Sequence, residues 1–362
     1  MHSTFPTSPD RAANVTALRP HAPLAKAGLA GVSAAARAKP YDGYDVLTET
    51  LRQVRLTGSV FLNANFTKPF GVISPERFSA EAPMADLRHV SIFHLIASGS
   101  CEIEIASGER QTVSAGDIVL MPFAAAHKLW HGEVAEMPLA QELVRPGPID
   151  GMWTIEHGGG GETTRMVCGF IESREFLYAP VFRSLPELLI DRTGDDEASA
   201  VITATVRQIL ALADAATPGS GLMLGRLMEM LFVEVVRRHA ASLPPTSQNW
   251  FAACSDPIVG RALAAMHREA ARGWTVAELA REAGTSRSVL SERFAALVGQ
   301  PPIEYLASWR IQLAAERLRS TTDALASIGA EVGYESVAAF NRAFKRITGV
   351  TPGSWRLREV AA

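Results

Sequence analysis

Two copies of one pattern, about fifty residues apart near the C-terminus, constrain this chain more than any other feature. Residues 275–285 read TVAELAREAGT and lead into SRSVLSERFAALVG (286–299). Residues 325–335 read LASIGAEVGYE and lead into SVAAFNRAFKRITG (336–349). Each copy has a short apolar helix, a glycine where the chain must turn (Gly284, Gly333), and a second helix with arginines among its polar positions. Two helix-turn-helix units in one small domain point to a chain that grips DNA at two places.

Inside that region the local chemistry is explicit. Asp256 and Pro257 suit the start of a helix, whose buried side is Ile258, Ala262, Leu263 and Met266. Thr275 and Glu278 form a capping box, and Val276, Leu279 and Ala280 bury one face of the first support helix. The first recognition helix begins at Ser286. Val289, Leu290, Phe294 and Leu297 are expected to face the core, leaving Arg287, Ser288, Ser291 and Glu292 outward. A long helix, 303–318, carries Leu306, Trp309, Leu313 and Leu318 between the units. In the second unit Leu325, Ile328 and Val332 back the support helix, and Phe340, Phe344 and Ile347 anchor the recognition helix. Ser336, Val337, Asn341, Arg342 and Lys345 are then outward, with Arg346 nearly so.

The rest of the chain is of another kind. Of 362 residues 47% are hydrophobic, enough for two or three domains. Three cysteines at wide spacing (Cys101, Cys168, Cys254) give neither a disulfide framework nor a CxxC zinc pair, which favours a reducing compartment. No run of eighteen apolar residues predicts a membrane span. From residue 250 onward there are 14 Lys+Arg against 11 Asp+Glu, or +3; the preceding residues hold 21 against 27, or −6. A basic C-terminal part beside an acidic N-terminal one suits a DNA-binding module joined to a separate sensor, although the excess is small.

Residues 1–43, rich in Ala, Pro, Ser and Thr, read as a disordered extension. Order is expected from 44, beginning with a helix that places Val46, Leu47, Leu51, Val54 and Leu56 at near-helical spacing. Short alternating runs follow at 59–66, 89–99, 100–107, 110–116 and 117–123, punctuated by Gly, Ser and Pro, the signature of an antiparallel barrel or sandwich. His94 shares strand parity with Ile92 and is expected to point inward, His127 to face it, and Cys168, in the run RMVCGF, to be a third member. Three readings are open: polar groups satisfied within the core, contacts to an effector, or ligands of a metal. His131 and His157 are expected in loops. Gly158–Gly161 lacks the strand-loop-helix and GKS/T context of a phosphate cradle and reads as a hairpin turn. From Leu185 the texture turns helical. One helix over 197–214 carries Val201, Ile202, Thr205, Ile209, Leu210 and Leu212. A second, over 222–240, carries Leu224, Leu227, Met228, Leu231, Phe232, Val235 and Val236, either packed on the strands or forming a dimer interface. Residues 242–249 read as a linker.

Two resemblances gather these readings. Gly116, Pro122 and His127 match the second cupin motif, with Ala124 where a glycine is usual, so 44–184 resembles the cupin-like sensor of AraC/XylS-type regulators. Where that family's first-motif ligands would fall stand Ala85, Leu87 and Ile92, which argues against a bound metal, and no cofactor is expected. More specifically, GQPPIEYLASWRIQLAAERL (299–318) and GYESVAAFNRAFKRITGVTPGSWR (333–356) resemble the AraC/XylS DNA-binding domain, here 250–357. The expected fold class is multidomain α+β: a cupin-like antiparallel β-barrel with a helical pair (185–241), then an all-α domain with two helix-turn-helix units.

The resemblance implies a cytoplasmic, nucleoid-associated bacterial transcription regulator, an activator, that puts both recognition helices into successive major grooves about one turn, ~34 Å, apart. It implies double-stranded promoter DNA, a small-molecule effector, RNA polymerase and a second copy of the chain as partners. The residues expected at DNA are Arg287, Ser288, Ser291, Glu292, Ser336, Asn341, Arg342, Lys345 and Arg346; those expected at the effector are His94, His127 and Cys168. Two alternatives stand beside it: a metal-dependent cupin oxygenase or isomerase fused to a helical domain, and a regulator whose barrel binds a protein.

Overall fold

The structure is a computed structural model and describes residues 45–75, 90–147, 151–177, 179–192, 199–215, 217–244 and 247–360. The extension expected over 1–43, and Ala85 and Leu87, lie outside these residues. In chain order the strands are Thr57–Thr67 (β1), Phe70–Ser74 (β2), Val90–Ser98 (β3), Ser100–Ile105 (β4), Arg110–Ser114 (β5), Ile118–Met121 (β6), His127–His131 (β7), Arg145–Pro146 (β8), Trp153–Gly158 (β9), Thr163–Glu172 (β10) and Leu189–Asp191 (β11). The helices are Val46–Arg52 (α1), Ala140–Leu143 (α2), Pro180–Arg183 (α3), Ala200–Ala215 (α4), Ser220–Ser242 (α5), Trp250–Ser255 (α6), Val259–Arg268 (α7), Val276–Glu282 (α8), Arg287–Val298 (α9), Pro302–Ser320 (α10), Leu325–Glu331 (α11), Val337–Thr348 (α12) and Pro352–Val360 (α13).

The strands form a seven-stranded sheet, β11-β6-β3-β10-β1-β9-β8, and a four-stranded sheet, β2-β7-β4-β5. Among the described residues no strand pairing joins the two, so the expected barrel is an open pair of sheets, and β1 and β9 run parallel. That parallel pair explains Gly158–Gly161. Because β1 lies between β9 and β10, the connection arches over the end of β1, with Gly159 N donating to Thr67 O and Gly161 N to Lys68 O, and is not a hairpin turn. His131 and His157 likewise lie in β7 and β9, not in loops.

Strand alternation divides the large sheet into two faces. Ile92 and Ile96 of β3 and Met166 and Cys168 of β10 face the small sheet; Phe93, Leu95, Val167 and Ile171 face a layer of helices. In β1 an extra residue between Val60 and Leu62 shifts the register, so Val60 serves the helical face while Leu62, Ala64 and Phe66 serve the inter-sheet core. The bulge moves half of one strand to the other side.

Helix α5 lies on the helical face with Leu224, Met228, Leu231, Phe232, Val235 and Val236 buried, and the rings of Phe93 and Phe232 meet edge-on at 6.1 Å. It sits close because Gly58 and Gly225 meet backbone to backbone, where a Cβ on Gly225 would stand 2.5 Å from Gly58 O. The expected apolar stripe therefore packs on the sheet. Helix α4 buries Ile202, Thr205, Ile209 and Ala213, whereas Val201, expected on that face, is exposed. Between Leu185 and α4, where helix was expected to start, the chain first forms β11, tied to α5 by Arg238 and Asp191 at 2.9 Å.

Beyond α5 the chain builds both helix-turn-helix units. Asp256 Oδ1 accepts from the N–H groups of Ile258 and Val259, opening α7. Each support helix, α8 and α11, ends in a Schellman turn: Thr285 N donates to Ala280 O and Gly284 N to Arg281 O, and Tyr334 N donates to Gly329 O and Gly333 N to Ala330 O. Each recognition helix, α9 and α12, is capped by a serine, Ser286 accepting from Val289 N and Ser336 from Ala339 N, and ends at a left-handed glycine, Gly299 or Gly349. Arg310 of α10 joins the units, donating to the carbonyls of Ala270 and Arg272 on one side and of Gly333 on the other.

The two units differ in how they are buried. Leu279, Leu290, Phe294, Tyr305 and Trp309 of the first belong to the same apolar cluster as Phe93, Val167 and Phe232 of the strand half. Phe340, Phe344, Ile328 and Trp355 of the second form a core of their own with Ile311 and Leu318. One polar bond follows the shared core, Trp250 Nε1 donating to Tyr305 Oη at 3.1 Å; a second ties the far end of α10, beside Leu318 of the second core, to the strand half, the nearly buried Arg319 donating to the buried carboxylate of Glu175 at 2.9 Å.

Candidate DNA-binding surface and effector cavity

A cavity lies between the two sheets. Its walls come from β1, β3, β9 and β10 on one side and β2 and β7 on the other, with α2 along one edge, and its lining is mostly carbon: Leu62, Phe66, Val72, Ile92, Leu129 and Met166. Three polar side chains expected together from strand parity meet there. His94 and Cys168 are direct cross-strand partners on β3 and β10, and Cys168 Sγ lies 2.7 Å from His94 Nδ1. From β7 of the other sheet His127 brings its Nε2 to 2.9 Å from His94 Nε2, while its Nδ1 donates to Ala125 O at 2.9 Å. Burial holds both imidazoles neutral: it lowers His94 well below 6.5, with His127 adding to the effect, and lowers His127 to about 4 against the opposing bond to Ala125. Burial likewise pushes the Cys168 thiol up, and the neighbouring Cys101 adds to it, so the sulfur stays protonated and weakly nucleophilic.

The loop that presents Ala125 carries one strained residue. Ala124, standing where the motif usually has glycine, has φ +50°, a left-handed backbone that a Cβ disfavours by about 1–2 kcal/mol.

The cupin donor set does not fit a metal here. His94 Nε2 and His127 Nε2 face each other directly, and Cys168 lies on the far nitrogen of His94, so the three do not converge on one point. Ile92 lines the cavity with carbon where a first-motif ligand would stand, and among the described residues no group of three or more His, Cys, Asp or Glu side chains is placed to hold a metal ion.

The two recognition helices align in sequence at an offset of fifty: Ser291 matches Asn341, Glu292 matches Arg342, Ala295 matches Lys345 and Ala296 matches Arg346. Arg287, Ser288, Glu292, Arg342, Lys345 and Arg346 are exposed, and Ser291 is half-buried. Among the described residues no carboxylate pairs with Arg287, Arg342, Lys345 or Arg346, whereas Arg293 is tied to Asp256 and Arg317 to Glu331 and Asp323. Ser336 is exposed, but its oxygen is engaged as the helix cap. Asn341, expected outward, is half-buried, with Oδ1 enclosed and unpartnered. Val289, expected in the core, is 44% exposed; it lies about 100° around the helix from Leu290 and so off the stripe that Leu290, Phe294 and Leu297 make.

Family models match both halves: a cupin over residues 45–241 and a helix-turn-helix domain over residues 279–358. An AraC-like transcription regulator of Streptomyces lividans is 33% identical over 275 residues, 75% of this chain and 88% of that protein. The chain belongs to the AraC-like transcription regulators. A second such regulator, from Streptomyces antibioticus, is 32% identical over 279 residues (76% and 89% of the two chains), and the RCS-specific transcriptional activator RclR of Escherichia coli is 27% identical over 271 residues (74% and 84%). Within this AraC-like chain the cupin half carries the inter-sheet cavity and the C-terminal half carries α9 and α12. No helix among the described residues is long and apolar enough to cross a membrane. Local patterns had pointed to the cavity triad and the exposed cations; Val289, Arg310 and the carbonyl of Ala125 were missed. Only Val289 left a signal, its angle off the apolar stripe.

Proposed function

We propose that this regulator is a cytoplasmic, nucleoid-associated activator that lays α9 and α12 into successive major grooves on one face of promoter DNA and takes a small-molecule effector in the cavity between its sheets. The observation that carries the DNA reading is the pair of serine-capped recognition helices on which Arg287, Arg342, Lys345 and Arg346 are exposed with no acidic partner among the described residues. Arg287, Arg342, Lys345 and Arg346 neutralise phosphates, and Arg342 is also placed to take a guanine by a bidentate contact. Ser288, Ser291 and Glu292 read base edges from the first helix, Glu292 accepting from a cytosine amine. Ser336 contributes through its O–H, and Asn341 only if its side chain swings out. Activation is supported by the E. coli relative, which is named an activator, and RNA polymerase is the partner that an activator of this kind would engage.

Residues 44–184 form the effector domain in this reading, 185–241 the helical pair, 242–249 the linker and 250–357 the DNA-binding domain. Dimerisation falls to the outer side of α5, where Leu222, Met223, Met230 and Val233 are exposed around Arg226 and Arg237. The stripe expected to do this is spent on the sheet. A regulatory rather than catalytic cavity is supported by its histidines, whose ring nitrogens are all engaged; near-stoichiometric iron, manganese or nickel in the purified protein would overturn that reading.

Sequencing the genomic fragments that the protein retains tests the rest. Enrichment of one motif with two half-sites about a helical turn apart is expected, and Arg342→Ala should weaken binding by about 1–3 kcal/mol and reduce the salt slope by about 1. Should Arg342→Ala and Glu292→Ala both leave affinity and preference intact, the groove assignment is wrong.

A further inference from the structure

The polar groups of the cavity form one closed chain, and its protons can be placed in order. The oxygen of Ala125 can only accept, so His127 carries its proton on Nδ1. Because burial keeps that ring neutral, its Nε2 is bare. His94 Nε2 lies 2.9 Å from this bare nitrogen, a distance at which two lone pairs would repel, so His94 donates from Nε2 and is bare at Nδ1. Cys168, held as a thiol, then donates its proton to His94 Nδ1. Four ring nitrogens and one thiol are used up among themselves and one carbonyl.

What remains for an occupant is hydrocarbon. The other lining side chains with polar atoms are Ser74, Gln141 and the indole of Trp153, all neutral, and among the described residues no Lys, Arg, Asp or Glu lines it. A carboxylate or phosphate entering would give up its hydration with no cation and no free imidazole N–H to replace it. We propose that the effector is a neutral, largely hydrocarbon small molecule, recognised by shape and dispersion, and that the cavity excludes anions. The inference rests on the reading of this cavity as the effector site. The cavity measures about 50 Å³, against roughly 150 Å³ for an apolar cavity that holds benzene. A snug occupant therefore has few carbon atoms, and a larger one must part the half-buried α2 edge at Ala140, Gln141 and Val144.

The test uses the full chain and matched probes of two sizes: propane and cyclopentane against propionate and butyrate. The neutral probes should raise Tm by roughly 1 °C or more and shift the NMR signal of the Met166 methyl group, and the carboxylates at equal concentration should do neither. Carboxylates acting as strongly, or no neutral probe reaching Met166, would overturn the proposal. Cys168→Ala supplies a second arm by leaving His94 Nδ1 an unpaired acceptor facing new space. Cyclopentanol should then gain about tenfold over cyclopentane relative to the natural chain; an unchanged ratio sinks the proton assignment. Promoter affinity measured with the same probes separates the two readings. Hydrocarbon that binds without altering promoter affinity removes the effector role and keeps the cavity chemistry; a carboxylate that binds there and alters it does the reverse.

Discussion

The two helix-turn-helix units share a backbone plan down to the cap, the Schellman glycine and the terminal left-handed glycine, yet they stand in different company. The first is buried into the core that also holds the sensor sheet; the second closes on a core of its own. Their recognition helices diverge in charge as well. Over 286–299 there are two arginines and one glutamate, or +1, and Arg293 is tied to Asp256; over 336–349 there are three cations and no acid, or +3. Local sequence therefore specifies the unit, while burial and charge specify its task. In the proposed reading one arm shares the core of the cupin half and reads bases, and the other holds the backbone of the duplex.

The sharpest way to break this comparison is to hollow each core in turn. Phe294→Ala and Phe340→Ala should each cost about 3–5 kcal/mol, but with different reach. Hydrogen exchange should quicken in β3 and β10 as well as in α9 for the first, and only in α11 to α13 for the second. Equal reach would mean that the cores are not separate.

Acid provides the next largest contrast. His127 and His267, both fully enclosed, are lowered by burial from 6.5 to about 4 and about 3, so the unfolded chain takes up protons first as pH falls. The stability that rests on these neutral rings is complete above pH 6.5 and is lost between there and about 4 for His127 and about 3 for His267, on the order of 3 kcal/mol or more each. The sensor and first unit contain them, whereas residues 300–362 hold no histidine. Exchange measured at pH 4.5 should therefore rise in β3, β7 and α7 before α12; the opposite order would refute the contrast.

Smaller effects separate the turns. Alanine at either Gly284 or Gly333 meets a positive φ, about 1–2 kcal/mol, but only at Gly333 would its Cβ also lie 2.5 Å from the carbonyl oxygen of Ala271 in the first unit. Melting of Gly333→Ala below Gly284→Ala is expected. As a control outside both units, Ala124→Gly should relieve strain and stabilise by a few tenths to about 1 kcal/mol, read as a small rise in Tm.

Much of this was legible because it is local. Caps, glycine turns and the anchors Phe340 and Phe344 announce themselves within a few residues, and strand parity brought His94 and Cys168 to one face. His127 was found through its spacing from Gly116 and Pro122. What was not legible depends on distant partners. The parallel pairing of β1 with β9, the extra residue after Val60 that changes faces, and the short strand at Leu189 leave no periodic trace. Val289 was misread because adjacency to Leu290 suggested burial, although neighbours in a helix point 100° apart. The merging of the first unit with the sensor arises from Trp250, Tyr305 and Phe232 joining one apolar cluster across the fold, which no window of sequence contains.

That merged core has an evolutionary consequence. A DNA-binding half that could be clipped off at 242–249 and fitted to another sensor would need a polar skin where the two meet; here Trp250, Phe251 and Val259 form that boundary. Cut there, the isolated half would carry a sticky wound and tend to clump. Substitutions at that boundary would therefore have to be matched on both sides of it, whereas the second unit, closed on a core of its own, is under no such constraint.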